Sequence, residues 1–346
     1  MWKKNIYKIF VFTFILFSSL GLTNIFNNPY TTTHLDNLYS QEPNQNFLKV
    51  KFILENSDKY DSFLFGSSRV GKINPKLFTN GKFYNMTYSE GLPYEHLLNI
   101  KLFLKHHIKI KNIYIGLDDF SYEVDPVIHD QQVMRKPHYL ASGESFLDFY
   151  SLYHNVSYMY LLDRRGATFD IDDTGMPLVP IEIDNNIEKN KIKYCSEKKF
   201  LEPCHYSGDR IVQTLQELKE IKTICKINKI NLVFFINPIH KTTYLDTNFD
   251  NFLKFKKQLV RISEFIDFSG LNNITTNNYF YYETSHYRGI TGTLIAKIIN
   301  GELNENFGKH VTPENIEAHL EKLRNDRIKW QDAHPLDVAE IRALKK

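Results

Sequence analysis

The stretch DRIVQTLQELKEIKTICKINKINLVFFINP, residues 209–238, contains the pattern of one helix followed by one strand. In residues 209–227, apolar side chains recur every three or four positions, which is the spacing of one face of an α-helix. Residues 230–236 form a short apolar run that ends at Asn237-Pro238, and such a run is typical of a strand buried on both faces. A helix that leads into a buried strand indicates an α/β protein.

The rest of the chain alternates in the same way. Short apolar runs predict strands at 61–66, 83–85, 112–116 and 266–268, and amphipathic stretches predict helices at 92–107, 252–265 and 289–299. Strands separated by helices of about a dozen residues predict a parallel sheet with helices on both faces. We therefore expect an α/β three-layer sandwich with a central parallel sheet.

The N-terminus has the composition of a membrane segment. Lys3, Lys4 and Lys8 precede residues 9–26, which contain no charged side chain. About 17–25 apolar residues suffice to span a bilayer, and the positive flank favours a cytoplasmic start. We expect a cytoplasmic tail at 1–8, one transmembrane signal anchor at 9–28 and a polar linker at 29–47. A cleaved signal peptide and a buried helix are the alternatives.

Composition excludes several classes of protein. Of the 346 residues, 42% are hydrophobic and 24% are charged, which excludes a mainly disordered chain and a multi-span membrane protein. The net charge is only +3 and the basic residues are dispersed, so the chain lacks the basic patch of a nucleic-acid-binding protein.

The remaining chain divides into a domain at 48–310 and a charged helical C-terminal tail at 311–346. An insertion at about 121–206, rich in Tyr, Asp and His, interrupts the domain. It contains Cys195 and Cys204, which are close enough in sequence to close a small loop in an oxidising compartment. A bridge between them and three unpaired thiols, Cys225 included, are both compatible with the sequence.

Polar residues follow the predicted strands directly. In an open parallel sheet, ligands bind beyond the carboxyl ends of the strands. The segments at these ends are Gly66-Ser67-Ser68-Arg69, residues 85–91, Gly116-Leu117-Asp118-Asp119, residues 237–240 and, before the last helix, residues 283–289.

Three side chains in these segments suit acyl transfer on a serine. Ser68 lies on a turn between a strand and a helix, where backbone N–H groups favour negative charge. A serine becomes nucleophilic when a base accepts its proton, and we assign this role to His286. Glu283 would orient the imidazole and stabilise its charged form. The N–H groups of Ser68 and Gly91 would donate to the oxyanion.

These segments together resemble the SGNH (GDSL-like) hydrolase superfamily. The resemblance is to its membrane-anchored extracytoplasmic branch, which includes proteins of alginate O-acetylation and teichoic acid D-alanylation. Gly66-Ser67-Ser68 matches the Gly-Asp-Ser block, Asn85 and Gly91 the second block, residues 116–119 the Gly-x-Asn-Asp block, and residues 283–286 the Asp-x-x-His block. The resemblance covers about 61–299, without the insertion, and implies the flavodoxin-like SGNH hydrolase fold.

Two positions depart from the family pattern. Asp118 stands where the family has an oxyanion-hole Asn, and an ionised carboxylate cannot donate a hydrogen bond. Either Asp118 is protonated, or the oxyanion hole relies on backbone donors. Glu283 replaces an Asp, although Glu serves as the triad acid in some α/β hydrolases.

Three further residues are candidates for substrate contact. Arg69 and Arg288 flank the proposed Ser–His pair and suit an anionic group, and His240 follows the strongest strand. Ordinary ion pairs for the arginines and a structural role for the histidine are the alternatives. We expect no metal and no cofactor, because no histidine at ligand spacing accompanies Asp118 and Asp119.

The resemblance implies a serine esterase or acyltransferase that acts on O-acyl groups, most simply O-acetyl groups, of a cell-envelope polysaccharide. It implies a single-pass protein of the bacterial inner or cytoplasmic membrane with a periplasmic or extracellular domain. A membrane-bound O-acyltransferase would be its partner, and nucleic acid would not. Asp118 and the aromatic insertion motivate a second hypothesis, a non-catalytic glycan-binding or assembly factor on the same fold.

Overall fold

The computed structural model describes residues 2–27, 43–130, 132, 135–151, 171–302 and 307–343. Within these residues, six strands form one sheet in the order β2-β1-β3-β4-β5-β6. The strands are β1 (Ser62–Phe65), β2 (Phe83–Asn85), β3 (Asn112–Leu117), β4 (Asn231–Ile236), β5 (Phe265–Asp267) and β6 (Lys309–Val311). β1 to β5 are parallel, and β6 is antiparallel to β5. The expected α/β fold with a mostly parallel central sheet is confirmed.

Helices connect these strands and continue beyond them. They are α1 (Trp2–Asn27), α2 (Gln45–Glu55), α3 (Pro93–Lys105), α4 (Pro126–Asp130), α5 (Tyr139–Ser142), α6 (Phe146–Tyr150), α7 (Ile181–Lys189), α8 (Lys191–Cys195), α9 (Ile211–Ile227), α10 (Lys241–Asp246), α11 (Phe249–Leu259), α12 (Gly289–Ile299), α13 (Ile316–Ala333) and α14 (Pro335–Ala343).

Alternate residues of each strand enter two separate apolar clusters, because successive side chains of a strand point to opposite faces of the sheet. Phe63 and Phe65 of β1 join the cluster that α2, α3, α9, α11 and α13 cover. Leu64 joins the other cluster, which α7, α8 and α12 cover. Helices therefore cover both faces, and they leave the loops at the carboxyl ends of the strands as the place where a site can form.

The N-terminal predictions meet the structure only in part. α1 overlaps the predicted anchor. Within the residues that the structure describes, no helix combines the length and the apolarity that a membrane crossing requires. Residue 28 of the predicted anchor and residues 29–42 of the predicted linker lie outside the described residues. The last part of that linker is packed instead, since Phe47 is buried in α2 against Phe149 of α6.

The insertion adds no strand to the sheet in its described residues, and residues 131, 133–134 and 152–170 of it lie outside the description. α7 and α8 of the insertion pack on the sheet through Ile187 and Tyr194.

The C-terminal segment also enters the fold. The predicted boundary between residues 310 and 311 falls inside β6. Beyond it, α13 places Leu320 and Leu323 in the main cluster. His319 of α13 contacts the carboxylate of Asp267 at 2.8 Å, and Lys256 of α11 contacts the same carboxylate at 2.8 Å. These two contacts fix α11 and α13 to the end of β5.

We expect Asp267→Asn to lower the free energy of unfolding by about 3–5 kcal/mol, because it leaves the charge of Lys256 buried without its counter-ion. Burial disfavours the Asp267 carboxylate, but Lys256 and His319 outweigh burial and hold the pKa of Asp267 below its ordinary value. A lowered pKa in the folded state stabilises the protein above the unfolded pKa of about 4 and less as pH falls below it. The difference between wild type and variant should therefore shrink below about pH 4.

Urea unfolding at several pH values measures this difference. Asp173→Asn is the control, because Asp173 forms an ion pair with Lys76 in which both side chains are largely exposed. The control should change stability by no more than about 0.5 kcal/mol. Equal effects of the two substitutions would contradict the prediction.

Candidate active site

The loops after β1, β3 and β4 and the loop before α12 meet at the carboxyl edge of the sheet. In the sheet, β2 lies on one side of β1 and β3 lies on the other, so the strand order reverses at β1. Such a reversal leaves a crevice beyond the carboxyl ends of β1 and β3. Ser68 follows β1, and His286 precedes α12. The fold brings these residues together although 218 positions separate them.

Ser68, His286 and Glu283 form a continuous chain of hydrogen bonds. Oγ of Ser68 lies 2.7 Å from Nε2 of His286. Nδ1 of His286 bonds to Oε1 of Glu283, which also accepts the backbone N–H of His286 at 3.0 Å. An imidazole held in this way presents Nε2 to the serine as the acceptor of its proton.

Glu283 is arranged to remain ionised. Burial alone would raise its pKa, but the hydrogen bond and charge of His286 and the N–H of Ser285 outweigh burial, so the pKa of Glu283 lies below its ordinary value. The His286 and Glu283 side chains are 31% and 36% exposed, so a ligand can approach the chain of hydrogen bonds from solvent.

Glycine is required at one position in the turn that carries Ser68 and at one position in the neighbouring loop after β2. Gly66 has φ +148°, and a Cβ there would lie 2.5 Å from Cγ2 of Val70. A Cβ on Gly91 would lie 2.4 Å from the carbonyl oxygen of Gly66. The loop after β2 thus packs directly on the turn of the serine, and an isolated bridge pairs Ser67 with Tyr88.

The oxyanion donors differ from the expected set. The N–H of Ser68 donates to no acceptor among the described residues. The N–H of Gly91 donates to the carbonyl of Tyr88 at 3.2 Å and is occupied in this conformation. Asp118 is fully buried, and its Oδ1 accepts from Arg69 at 3.0 Å and from Nδ2 of Asn237 at 3.0 Å. Oδ1 of Asp118 is therefore an acceptor in a buried network, whereas Oδ2 has no hydrogen-bond partner among the described residues, and burial raises the pKa of Asp118 although the charge of Arg69 acts against it.

Arg69, expected as a substrate contact, is 1% exposed and lies inside that network. Its guanidinium contacts both Asp118 and Asp119 and donates to the carbonyl of Ser285. Burial opposes its charge, but the two carboxylates outweigh burial and raise the pKa of Arg69 well above its ordinary value. Nε and Nη1 of the guanidinium are thus engaged by buried protein groups, whereas Nη2 has no hydrogen-bond partner among the described residues.

Arg288 and His240 are structural as well. The Arg288 side chain is 1% exposed and pairs with Asp184 at 2.8 Å and Glu188 at 2.9 Å, so it fastens α7 of the insertion to the start of α12. The His240 side chain caps α10 by accepting from the N–H of Thr242. Burial lowers the pKa of His240 to about 4, so the ring is neutral near pH 7.

The insertion also supports the loop of His286, which the sequence did not indicate. The hydroxyl of Tyr194 contacts the carbonyls of Tyr281 and Tyr282 at 2.8 and 2.9 Å. Thr284 donates to the carbonyl of Glu202. The insertion thus fixes the backbone on either side of Glu283.

Asn237 is a further residue that sequence reasoning missed. Its Oδ1 accepts from the hydroxyl of Tyr287 at 3.1 Å, and its Nδ2 donates to Asp118. Its position directly after the strongest predicted strand was the available signal. It links the end of β4 to the neighbour of His286.

Other polar features lie elsewhere. All three cysteines are free thiols. Within the described ranges, no group of three or more metal-ligating side chains is placed to hold an ion. A cavity of about 940 Å³ is lined by Asp267, Ser269 and His319 rather than by the serine site. These three side chains form hydrogen bonds with one another or with Lys256.

No protein-family model matches the chain, and a search of curated proteins found no match.

We expect Gly66→Ala to lower the free energy of unfolding by about 2–5 kcal/mol, since a positive φ and a clash with Val70 act together. Gly289→Ala is the control, because nothing lies within 4 Å of its new Cβ, and it should change stability by no more than about 1 kcal/mol. Thermal unfolding of both variants measures the difference. A Gly66→Ala protein as stable as wild type would show that the turn relaxes freely.

Proposed function

We propose that the protein is a serine esterase or O-acyltransferase. The observation that carries this proposal is the hydrogen-bonded chain from Ser68 through His286 to Glu283. Each member has the neighbour that its role needs: a base for the nucleophile, and a carboxylate for the base.

In the proposed reaction, Oγ of Ser68 attacks the carbonyl carbon of an ester while Nε2 of His286 takes the serine proton. Glu283 stabilises the imidazolium through Nδ1. The tetrahedral intermediate collapses when the imidazolium protonates the leaving alcohol, which leaves an acyl-serine. Water or a sugar hydroxyl then attacks the acyl-serine in the same manner, with His286 as base. Hydrolysis and transfer differ only in this acceptor.

The N–H of Ser68 is the oxyanion donor that we assign. Gly91 would become a second donor after its hydrogen bond to Tyr88 breaks, and the ion-paired Asp118 is not assigned. Loss of one donor typically lowers kcat by about 10²–10³. We therefore expect slow turnover unless substrate binding frees Gly91.

Membership of the SGNH hydrolase superfamily belongs to this proposal. The parallel order β2-β1-β3-β4-β5 is that of flavodoxin-like sheets. Ser68 follows β1 and His286 precedes α12, which is the order of the first and last motif blocks. We propose an O-acylated envelope polysaccharide as substrate, an exported domain anchored by the N-terminal segment, and a membrane-bound O-acyltransferase as partner.

The second candidate is a non-catalytic factor that binds glycan on the same fold. The hydrogen bond that occupies the N–H of Gly91 favours it, because this leaves the site with fewer oxyanion donors. This candidate needs neither Ser68 nor His286 for binding.

Mass spectrometry of the full chain with p-nitrophenyl acetate tests the enzyme. Wild type should gain one acetyl group on Ser68 and release nitrophenol, and Ser68→Ala should do neither. Ser145→Ala is the matched control, because Ser145 is a helix cap remote in sequence from the motif blocks, and it should behave as wild type. Release of nitrophenol at an undiminished rate by Ser68→Ala would refute the serine mechanism. Glycan binding that persists without Ser68 would favour the second candidate.

A further inference from the structure

We propose that Arg69 is a positioning residue of this site: its buried guanidinium couples the turn of Ser68 to the loop of His286. The inference rests on the proposed function for its catalytic consequence, but the coupling itself is a structural claim. It replaces the substrate-binding role that the sequence suggested.

The guanidinium joins three segments of the chain. Nε donates to the carbonyl of Ser285 at 2.8 Å. Nη1 contacts Oδ1 of Asp118 at 3.0 Å and Oδ1 of Asp119 at 2.6 Å. The carbon of the guanidinium lies 5.2 Å from the ring centre of Phe120. The ends of β1 and β3 and the loop before α12 are therefore held by one side chain.

The position of these contacts along the chain gives them their effect. Arg69 directly follows Ser68, and Ser285 directly precedes His286. The 2.7 Å hydrogen bond between Ser68 and His286 thus has a second hydrogen bond beside it, from Nε of Arg69 to the carbonyl of Ser285. A shift of the histidine loop away from the serine would have to break both.

Arginine suits this role better than lysine. Its planar fork carries donors in several fixed directions, so one side chain can serve a carbonyl and two carboxylates together. A lysine would keep the charge between the aspartates, but its compact ammonium lacks the fork that also reaches Ser285. Arg69→Lys therefore separates charge compensation from the coupling of the two loops.

The experiment compares Arg69→Lys with Arg327→Lys in the full chain. Arg327 is a suitable control, because its guanidinium also donates to backbone carbonyls, and these belong to Tyr244 and Leu245 of α10 rather than to the loops of Ser68 and His286. The first readout is kcat and KM with p-nitrophenyl acetate. The second is the ¹H–¹⁵N resonance of the His286 Nδ1 proton, whose hydrogen bond to Glu283 reports the geometry of the loop without any turnover.

Arg69→Lys should lower kcat by about 10²-fold, since a displacement of about 1 Å between reacting groups has this effect. KM should stay within about twofold, because Arg69 is buried and touches no substrate. The His286 resonance should shift or broaden. Arg327→Lys should leave kcat, KM and the resonance as in wild type.

A wild-type kcat and an unchanged His286 resonance in folded Arg69→Lys would overturn the proposal, even if the variant unfolds at a lower temperature. Asp119→Asn is the second variant in case Arg69→Lys does not fold, and it should disturb the same resonance more weakly. If wild type neither gains an acetyl group on Ser68 nor releases nitrophenol, the proposed function fails. The His286 resonance then still decides the coupling, because it needs no catalysis.

Discussion

The carboxyl edge of the sheet depends on a buried cation between two buried carboxylates. Asp118 and Asp119 are adjacent in sequence and almost completely buried, and without Arg69 two carboxylates would lie in a medium that opposes charge. Burial and Asp119 hold the pKa of Asp118 above its ordinary value, although the charge of Arg69 acts against both. Since Asp118 follows β3 and Arg69 follows β1, this balance holds only while the two central strands keep their register. Asn237 then extends the same network to the end of β4.

The insertion also stabilises the loop of His286, through ion pairs and hydrogen bonds from α7 and α8. Arg288 compensates Asp184 and Glu188 of α7, as Arg69 compensates the aspartates beneath the serine. The hydroxyl of Tyr194 holds two carbonyls directly before Glu283. The loop of His286 is thus held by Arg69 at the end of β1 and by Tyr194 of the insertion. The Glu-x-x-His segment needs this support because it is irregular backbone rather than a helix.

Sequence periodicity predicted those helices and strands in which the apolar residues of the pattern are also the residues buried in the fold. β2 and α12 have the predicted bounds, and β4 and α9 differ from prediction by two residues or fewer. β6 was missed because Lys309-His310-Val311 is short and mostly exposed, and only its pairing with β5 defines it. The sequence also could not show which charged residues are buried. Arg69, Arg288 and His240 were expected to meet a ligand, but burial by distant segments directs all three inward.

The polar side chains at the carboxyl edge of the sheet therefore differ in exposure: some are accessible to a ligand, and the others are buried against the protein. The polar residues at the strand ends are nearly all engaged with the protein: Arg69, Asp118 and Asn237 are at most 1% exposed. The His286 and Glu283 side chains are about one-third exposed, and Ser68 is half-buried beside them. By contrast, the side chains of His319 and Asp267, which also contact each other, are almost completely buried. The partial exposure of the Ser68–His286–Glu283 chain gives a ligand access to it, and such access is what the proposed roles of nucleophile and base require.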